Sequence, residues 1–251
     1  MEKSDYIYGI RAVIEAIEAG KEIDKIFISK DLQGPLAQEL IETARASKVV
    51  MQRVPVERIN RITRKNHQGV LAMMSAITYY RLDHLVPELY EAGLLPFIVV
   101  LDGITDVRNF GAIARTAECA GVDAIVIPQH GSVSVGGDAV KTSAGALLHL
   151  PVARVQSTVQ AVRFLKDNGY KVVAVTEKAD FNYTQTSYTD PVALVMGAED
   201  TGISPEVMKY CDTRVSIPMF GKISSLNVSV AAGVMIYEVV RQRLEANAEV
   251  M

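Results

Sequence analysis

Three short stretches of this chain set amide, carboxylate and guanidinium groups among glycines and apolar residues. The first, residues 101–116, carries Asn109 and Arg115, six positions apart. The second, residues 195–204, is a glycine-framed loop with Glu199 between Gly197 and Gly202. The third, residues 217–233, holds a polar loop at 221–227 between a short apolar strand and a small-residue helix. Polar groups packed this tightly against core sequence are a usual mark of ligand binding. Together the blocks suggest one site assembled from distant parts of the chain.

Several common chemistries are excluded. No G-x-x-x-x-G-K-[ST] segment is present, which argues against a P-loop nucleotidase. No G-x-G-x-x-G turn follows the apolar run at 97–101, so a dinucleotide-binding dehydrogenase lacks its phosphate turn. His67, His84, His130 and His149 are scattered, and no zinc cluster or metal site is expected. There is no G-x-S-x-G elbow.

The elements that must position these groups can be read from periodicity. Residues 6–20 have helical spacing, with Ile10, Val13, Ile14 and Ile17 on one stripe and Gly20 as the stop. Strands are predicted at 25–29, 49–54 and 69–75, and helices at 35–46 and 57–63, giving a small α/β unit over 1–77. Residues 78–95 change character and read as a linker, although 82–91 has the pattern of a helix. A second unit, 96–251, opens with a strand at 97–101 that is apolar on both faces, as in a parallel sheet. Further strands are predicted at 124–127, 171–175, 192–196 and 213–217. Helices are predicted at 111–120, 158–168, 205–210 and 228–243, and residues 246–251 are expected to fray. The alternation predicts a doubly wound α/β domain.

Composition agrees with a soluble globular protein, at 49% hydrophobic and 22% charged residues over 251 positions. No apolar run reaches the roughly 18 residues needed to span a bilayer. The N-terminus lacks the pattern of a secretory signal. Two cysteines, Cys119 and Cys211, point to a reducing, cytoplasmic setting and are expected to be ordinary buried thiols. The net charge of −3 does not advertise a nucleic-acid binder. Yet Arg53, Arg58, Arg61, Arg64 and Lys65 cluster around a single acid, Glu57. Such a patch fits phosphate binding or a solvated surface equally well. Aromatic content is low and Trp is absent, so no stacking platform for single-stranded RNA is evident.

In order and spacing, the three blocks resemble the motifs of the SpoU–TrmH family of RNA ribose 2′-O-methyltransferases, within the SPOUT superfamily. Residues 109–116 look like its first motif, 195–204 its second and 217–230 its third. Residues 8–16 and 66–70 are similar to the family's L30e-like substrate-binding domain, and the chain looks most like the RlmB branch. The resemblance implies a C-terminal trefoil knot, S-adenosyl-L-methionine as cofactor, and a homodimer with the knot helices at its interface. It implies RNA as substrate, most closely a guanosine of large-subunit (23S) ribosomal RNA. The same reaction on transfer RNA, or a non-catalytic RNA-binding relative, are the alternatives.

The resemblance also assigns residues. Asn109, Arg115, Glu199 and Asn227 match the catalytic positions. Gly197, Gly202, Ile217, Met219, Ser225 and Leu226 match or adjoin the cofactor positions, and Thr176 is a further candidate. Methyl transfer needs the ribose 2′-hydroxyl in line with the methyl carbon, and help with the hydroxyl proton. A guanidinium scarcely deprotonates, so Arg115 is expected to hold ribose and phosphate rather than act as base. The plain alternatives are a solvated helical arginine for Arg115, a capping carboxylate near Ser204 for Glu199, and a helix cap for Asn227. Arg108, Lys141, Lys222 and His67 are RNA-facing or structural candidates.

Overall fold

The computed structural model describes residues 6–179 and 181–248, which fall into two compact units. One comprises the chain up to Thr78 with Ser134–Asp138, and the other begins at Tyr79. The expected mixed α/β architecture, with a small N-terminal unit and a parallel sheet in the second, is present.

The first unit runs β1 (Tyr6–Tyr8), α1 (Ile10–Glu18), β2 (Ile23–Ser29), α2 (Pro35–Ala46), β3 (Met51–Val54), α3 (Val56–Ile62) and β4 (Val70–Met74). Its sheet has the order β1-β4-β2-β3, with β2 and β3 parallel and the other pairs antiparallel. Alternate residues of β2 enter different cores. Ile26 and Ile28 pack with Val13, Ile14 and Leu40, while Phe27 packs with Val54, Ile59 and Leu71. The helix expected from residue 6 begins at Ile10 instead. Gly9 sits at φ 91, outside helical backbone, so the chain before it extends and pairs with β4.

The turn at 66–70 fastens that junction. Gly9 N donates to Val70 O at 3.1 Å, and Ile10 N donates to Gln68 Oε1 at 3.2 Å. His67 Nδ1 accepts from Gly69 N at 3.0 Å, which leaves Nε2 to donate to Asn60 Oδ1 at 2.8 Å. His67 is buried, and its role is structural.

The second unit contains α4 (Leu82–Glu91), β5 (Phe97–Asp102), α5 (Val107–Cys119), β6 (Ala124–Pro128), α6 (Gly137–Thr142) from Ala139 onward, β7 (Val152–Val155), α7 (Thr158–Asp167), β8 (Lys171–Val175), β9 (Phe181–Asn182), β10 (Val192–Gly197), α8 (Pro205–Met208), β11 (Thr213–Ser216) and α9 (Val228–Ala248). Its seven strands are ordered β7-β6-β5-β10-β8-β11-β9, and every pairing is parallel. The residues read as a linker carry α4, whose Leu82, Leu85 and Val86 join the core beside Ile98 and Val126. Strands β7 and β9 were not evident in the sequence because they are short and lie at the sheet edges. Helix α9 stays helical through Ala248, past the expected fraying point; residues 249–251 lie outside the described chain.

Cys119 is exposed, contrary to expectation, because it follows Arg115 by four positions on the outer face of α5. The buried face of α5 is Phe110, Ile113, Ala114 and Ala117. Cys211 is partly buried, and that burial pushes its thiol up to about 12. Gly111 marks where α5 meets the end of α6, since an added Cβ would lie 2.6 Å from Thr142 Cβ.

The C-terminal helix is latched to the amino ends of the sheet. Arg243 donates from Nη1 to Leu95 O at 2.7 Å, from Nη2 to Asp190 O at 3.0 Å and from Nε to Tyr188 O at 3.2 Å. Its guanidinium also lies over the Phe97 ring, 5.5 Å from the centroid. One residue earlier, Gln242 accepts from Tyr188 N and donates to Thr186 O and to the buried Glu238 carboxylate. Hydrogen bonds from Arg241 hold the Glu238 carboxyl below its ordinary value.

Arg243→Ala should lower unfolding free energy by about 2–4 kcal/mol, because several carbonyls lose a charged donor; denaturant melts measure this. Glu238→Gln should melt below wild type at pH 7. The depressed carboxyl contributes stability above the ordinary value of 4.5 and loses it as pH falls through its own lower value, so the gap should close in acid melts.

Candidate active site

In open parallel sheets, ligands bind beyond the carboxyl ends of the strands, where loops leave the sheet. Here the loops after β8, β10 and β11 meet around a cavity of about 550 Å³. Thr176 comes from the first loop, Gly197 and Gly202 from the second, and Ile217, Met219, Ser225 and Leu226 from the third. All seven cofactor-site candidates from the sequence therefore line one cavity. Glu199 also lines it.

The second loop is shaped by its glycines. Gly202 adopts φ 68, and its N–H donates to Ala198 O at 2.8 Å, closing a tight turn. Gly197 packs so closely on that turn that an added Cβ would lie 2.1 Å from the Gly202 carbonyl carbon. The turn therefore presents backbone at the cavity wall without side-chain bulk. Ser204 N donates to Asp102 Oδ2 at 2.8 Å, tying the end of the loop to the last residue of β5. The carboxylate near Ser204 is thus Asp102, and Glu199 is free of that capping task.

Glu199 instead joins the three blocks. Its Oε1 accepts from Asn227 Nδ2 and, at 3.3 Å, from Val228 N at the start of α9. Asn227 Nδ2 also donates to Asn109 Oδ1 at 3.0 Å. Asn227 Oδ1 accepts from Ser229 N at 3.0 Å, so the residue caps α9 as well as bridging the other two motifs. Asn109 is held at the start of α5, where Asp106 Oδ1 accepts from Arg108 N and Asn109 N at 2.8 and 2.9 Å. Asn109, Asp106, Glu199 and Val228 line a second recess of about 240 Å³. The two cavities share Ala198, Glu199, Asp200 and Val228 as a common wall.

Arg115 is not brought into this cluster. It is exposed on α5 and lines neither cavity. Six residues of helix turn it about 120° away from Asn109 at 3.6 residues per turn. Lys222 and Lys141 are exposed and also line neither cavity.

The sequence did not single out Glu177, Lys178, Asp200, Arg214 or Met208, which also line the larger cavity. For Glu177, Lys178 and Asp200 the signal was positional, since they follow the carboxyl ends of β8 and β10, where a doubly wound sheet builds its site; Arg214 within β11 and Met208 at the end of α8 carried no such signal. Acidic and basic groups thus face a space that Met196, Ile203 and Met208 make partly apolar. Among the described residues no cluster of His, Cys, Asp and Glu could hold a metal ion, and no helix is long and apolar enough to cross a membrane.

Residues 96–237 match the SpoU rRNA methylase family, and residues 6–80 match the substrate-binding domain of RNA 2′-O ribose methyltransferases. A TrmH family tRNA/rRNA methyltransferase by name, from Staphylococcus saprophyticus, is 37% identical over 94% of this chain and 95% of its own. The crystal structure of the SpoU methyltransferase AviRb from Streptomyces viridochromogenes, in complex with AdoMet, superposes with a TM-score of 0.61 at 25% identity. That match covers 96% of this chain and 90% of AviRb. An AdoMet-bound rRNA methyltransferase from Sinorhizobium meliloti gives 0.60 at 27% identity, covering 94% and 86%. With both segments matched and a relative this similar along nearly its whole length, the chain belongs to the SpoU/TrmH family of RNA methyltransferases.

Proposed function

We propose that this protein transfers a methyl group from S-adenosyl-L-methionine to the ribose 2′-hydroxyl of RNA, with a guanosine of 23S ribosomal RNA as substrate. The observation that carries the reading is the shared wall of the two cavities, with Glu199 at the seam, held there by Asn227. In-line transfer requires a donor site and an acceptor site that touch at the reacting atoms.

The larger cavity fits the donor. Its size lies in the range of small-molecule sites. The Gly197–Gly202 turn leaves room for close backbone approach, and the mixed charges suit a ligand carrying ammonium, carboxylate and sulfonium groups. When bound, the cofactor supplies an electrophilic methyl. The chain's own residues hold the acceptor. Asn109 and Glu199 line the recess, and Asn227 fixes both of them through Nδ2. Arg115, exposed on α5, is assigned to an RNA phosphate beside the target ribose, where a permanent cation both positions and stabilises charge.

The proposal includes a homodimer and the family's trefoil crossing. Val230, Tyr237 and Leu244 recur every seven residues on α9 and stay 52%, 52% and 64% exposed, an apolar stripe suited to a second copy.

Labelled cofactor with unmodified 23S ribosomal RNA should yield a 2′-O-methylnucleoside on digestion, and transfer RNA should not. Label in transfer RNA alone would reassign the substrate, and no transfer to either despite cofactor binding would overturn the reading. Asn227→Ala and Arg115→Ala should each lower the rate by about 100-fold. Asn227→Ala should also cost about 1 kcal/mol of stability through the lost cap. Gly197→Ala should weaken cofactor binding at least about tenfold in calorimetry, because the new methyl meets backbone that has to shift.

A further inference from the structure

We propose that the α3-side face of the N-terminal sheet binds unpaired RNA bases by stacking on Tyr6 and Tyr8, with phosphates held by the surrounding cations. The proposal rests on RNA as the substrate and names the surface and the RNA form that it recognises.

The face follows from strand register. Tyr6 lies opposite Met73, which lies opposite Lys25; Tyr8 lies opposite Leu71, which lies opposite Phe27. Successive alternate residues of β1 and β4 share this side of the sheet. Helix α3 seals only part of it, where Ile59 packs on Phe27, Leu71 and Val54. Tyr6, Tyr8, Met73 and Lys25 remain half-buried. The two tyrosine rings stand 6.2 Å apart at 47°. The sequence, with few aromatic residues and no Trp, gave no hint of such a platform; pairing of β1 with β4 assembles it.

The cations are arranged over the same side. Lys65 Nζ lies 5.7 Å from the Tyr8 ring centroid, and the Arg58 guanidinium lies 5.0 Å from that of Phe27. Arg58, Arg61, Arg64 and Lys65 are all exposed, and Glu57 is the only acid among residues 53–65; Arg53, paired with Ile28, belongs to the other face of the sheet. Aromatic faces beside a positive surface fit a chain with π-faces and a phosphate backbone. A duplex hides its base faces, so the platform favours loops and bulges over paired RNA.

The test uses the full-length protein and two labelled RNAs of matched length: a hairpin with an unpaired loop and a blunt, fully paired duplex. Binding is followed by anisotropy. Wild type should prefer the loop. Tyr6→Leu with Tyr8→Leu should weaken loop binding at least about tenfold, leaving duplex binding and cofactor binding unchanged. Tyr6→Phe with Tyr8→Phe should bind as wild type. Equal losses on both RNAs, no loss, or a failing Phe variant would each overturn the proposal. A concentration-dependent oligomer lost in the Leu variant, with RNA binding intact, would instead assign the face to a second copy. Wild type that binds neither RNA would refute the RNA reading itself. A second variant, Arg61→Gln with Lys65→Gln, keeps the tyrosines and so tests the face even where the Leu variant misfolds. It should flatten the salt dependence of log K by about 0.7 per lost phosphate contact, and an unchanged slope would count against the proposal.

Discussion

One side-chain amide ties the catalytic half of this protein together. Asn227 donates to Asn109 from α5 and to Glu199 from the loop after β10, while its carbonyl caps α9. An amide can do all this because it carries donors and an acceptor on one planar group. Aspartate would lack the donors and face Glu199 with a like charge; alanine would lack both functions. The helix start and the site geometry therefore stand or fall on the same residue. Structural and chemical readings of Asn227, which compete when only the sequence is considered, describe two ends of one side chain.

The cavity wall depends on a steric constraint of similar economy. Gly197 ends β10 within a methyl group's reach of the Gly202 backbone. The turn can fold that tightly only because Gly202 takes a positive φ and Gly197 has no Cβ. Asp102 then pins Ser204 from the neighbouring strand, so the loop is held at both ends before any ligand arrives. A preorganised wall of this kind spends less binding free energy on ordering. The Arg243 latch serves the opposite end of the same sheet, where it ties the last turns of α9 to the amino ends of the strands.

The two units differ in how openly their sequences announce them. Strands β5, β6, β8 and β10 are apolar on both faces, and helices α2 and α4 were readable to the residue, because burial imposes a period on the chain. Strand β1 was absorbed into a helical reading, since Tyr6 and Ile7 continue the stripe of Ile10 and Val13. Only the positive φ of Gly9 and a partner strand some sixty residues away decide otherwise. Cys119 shows the same limit: a thiol in a helical stretch reads as core, but its angular position places it with Arg115 on the outer face.

Residue types and their order determined the family resemblance, the cofactor loops and the candidate amide and carboxylate groups, because those depend on local composition and spacing. Tertiary structure alone decided which of them meet. It joined Asn109, Glu199 and Asn227 through hydrogen bonds spanning 118 and 28 positions, and left Arg115 facing outward. It also set Tyr8 beneath Lys65 and Phe27 beneath Arg58. Such meetings arise from strand register and helix phase in three dimensions, and a one-dimensional pattern does not carry them.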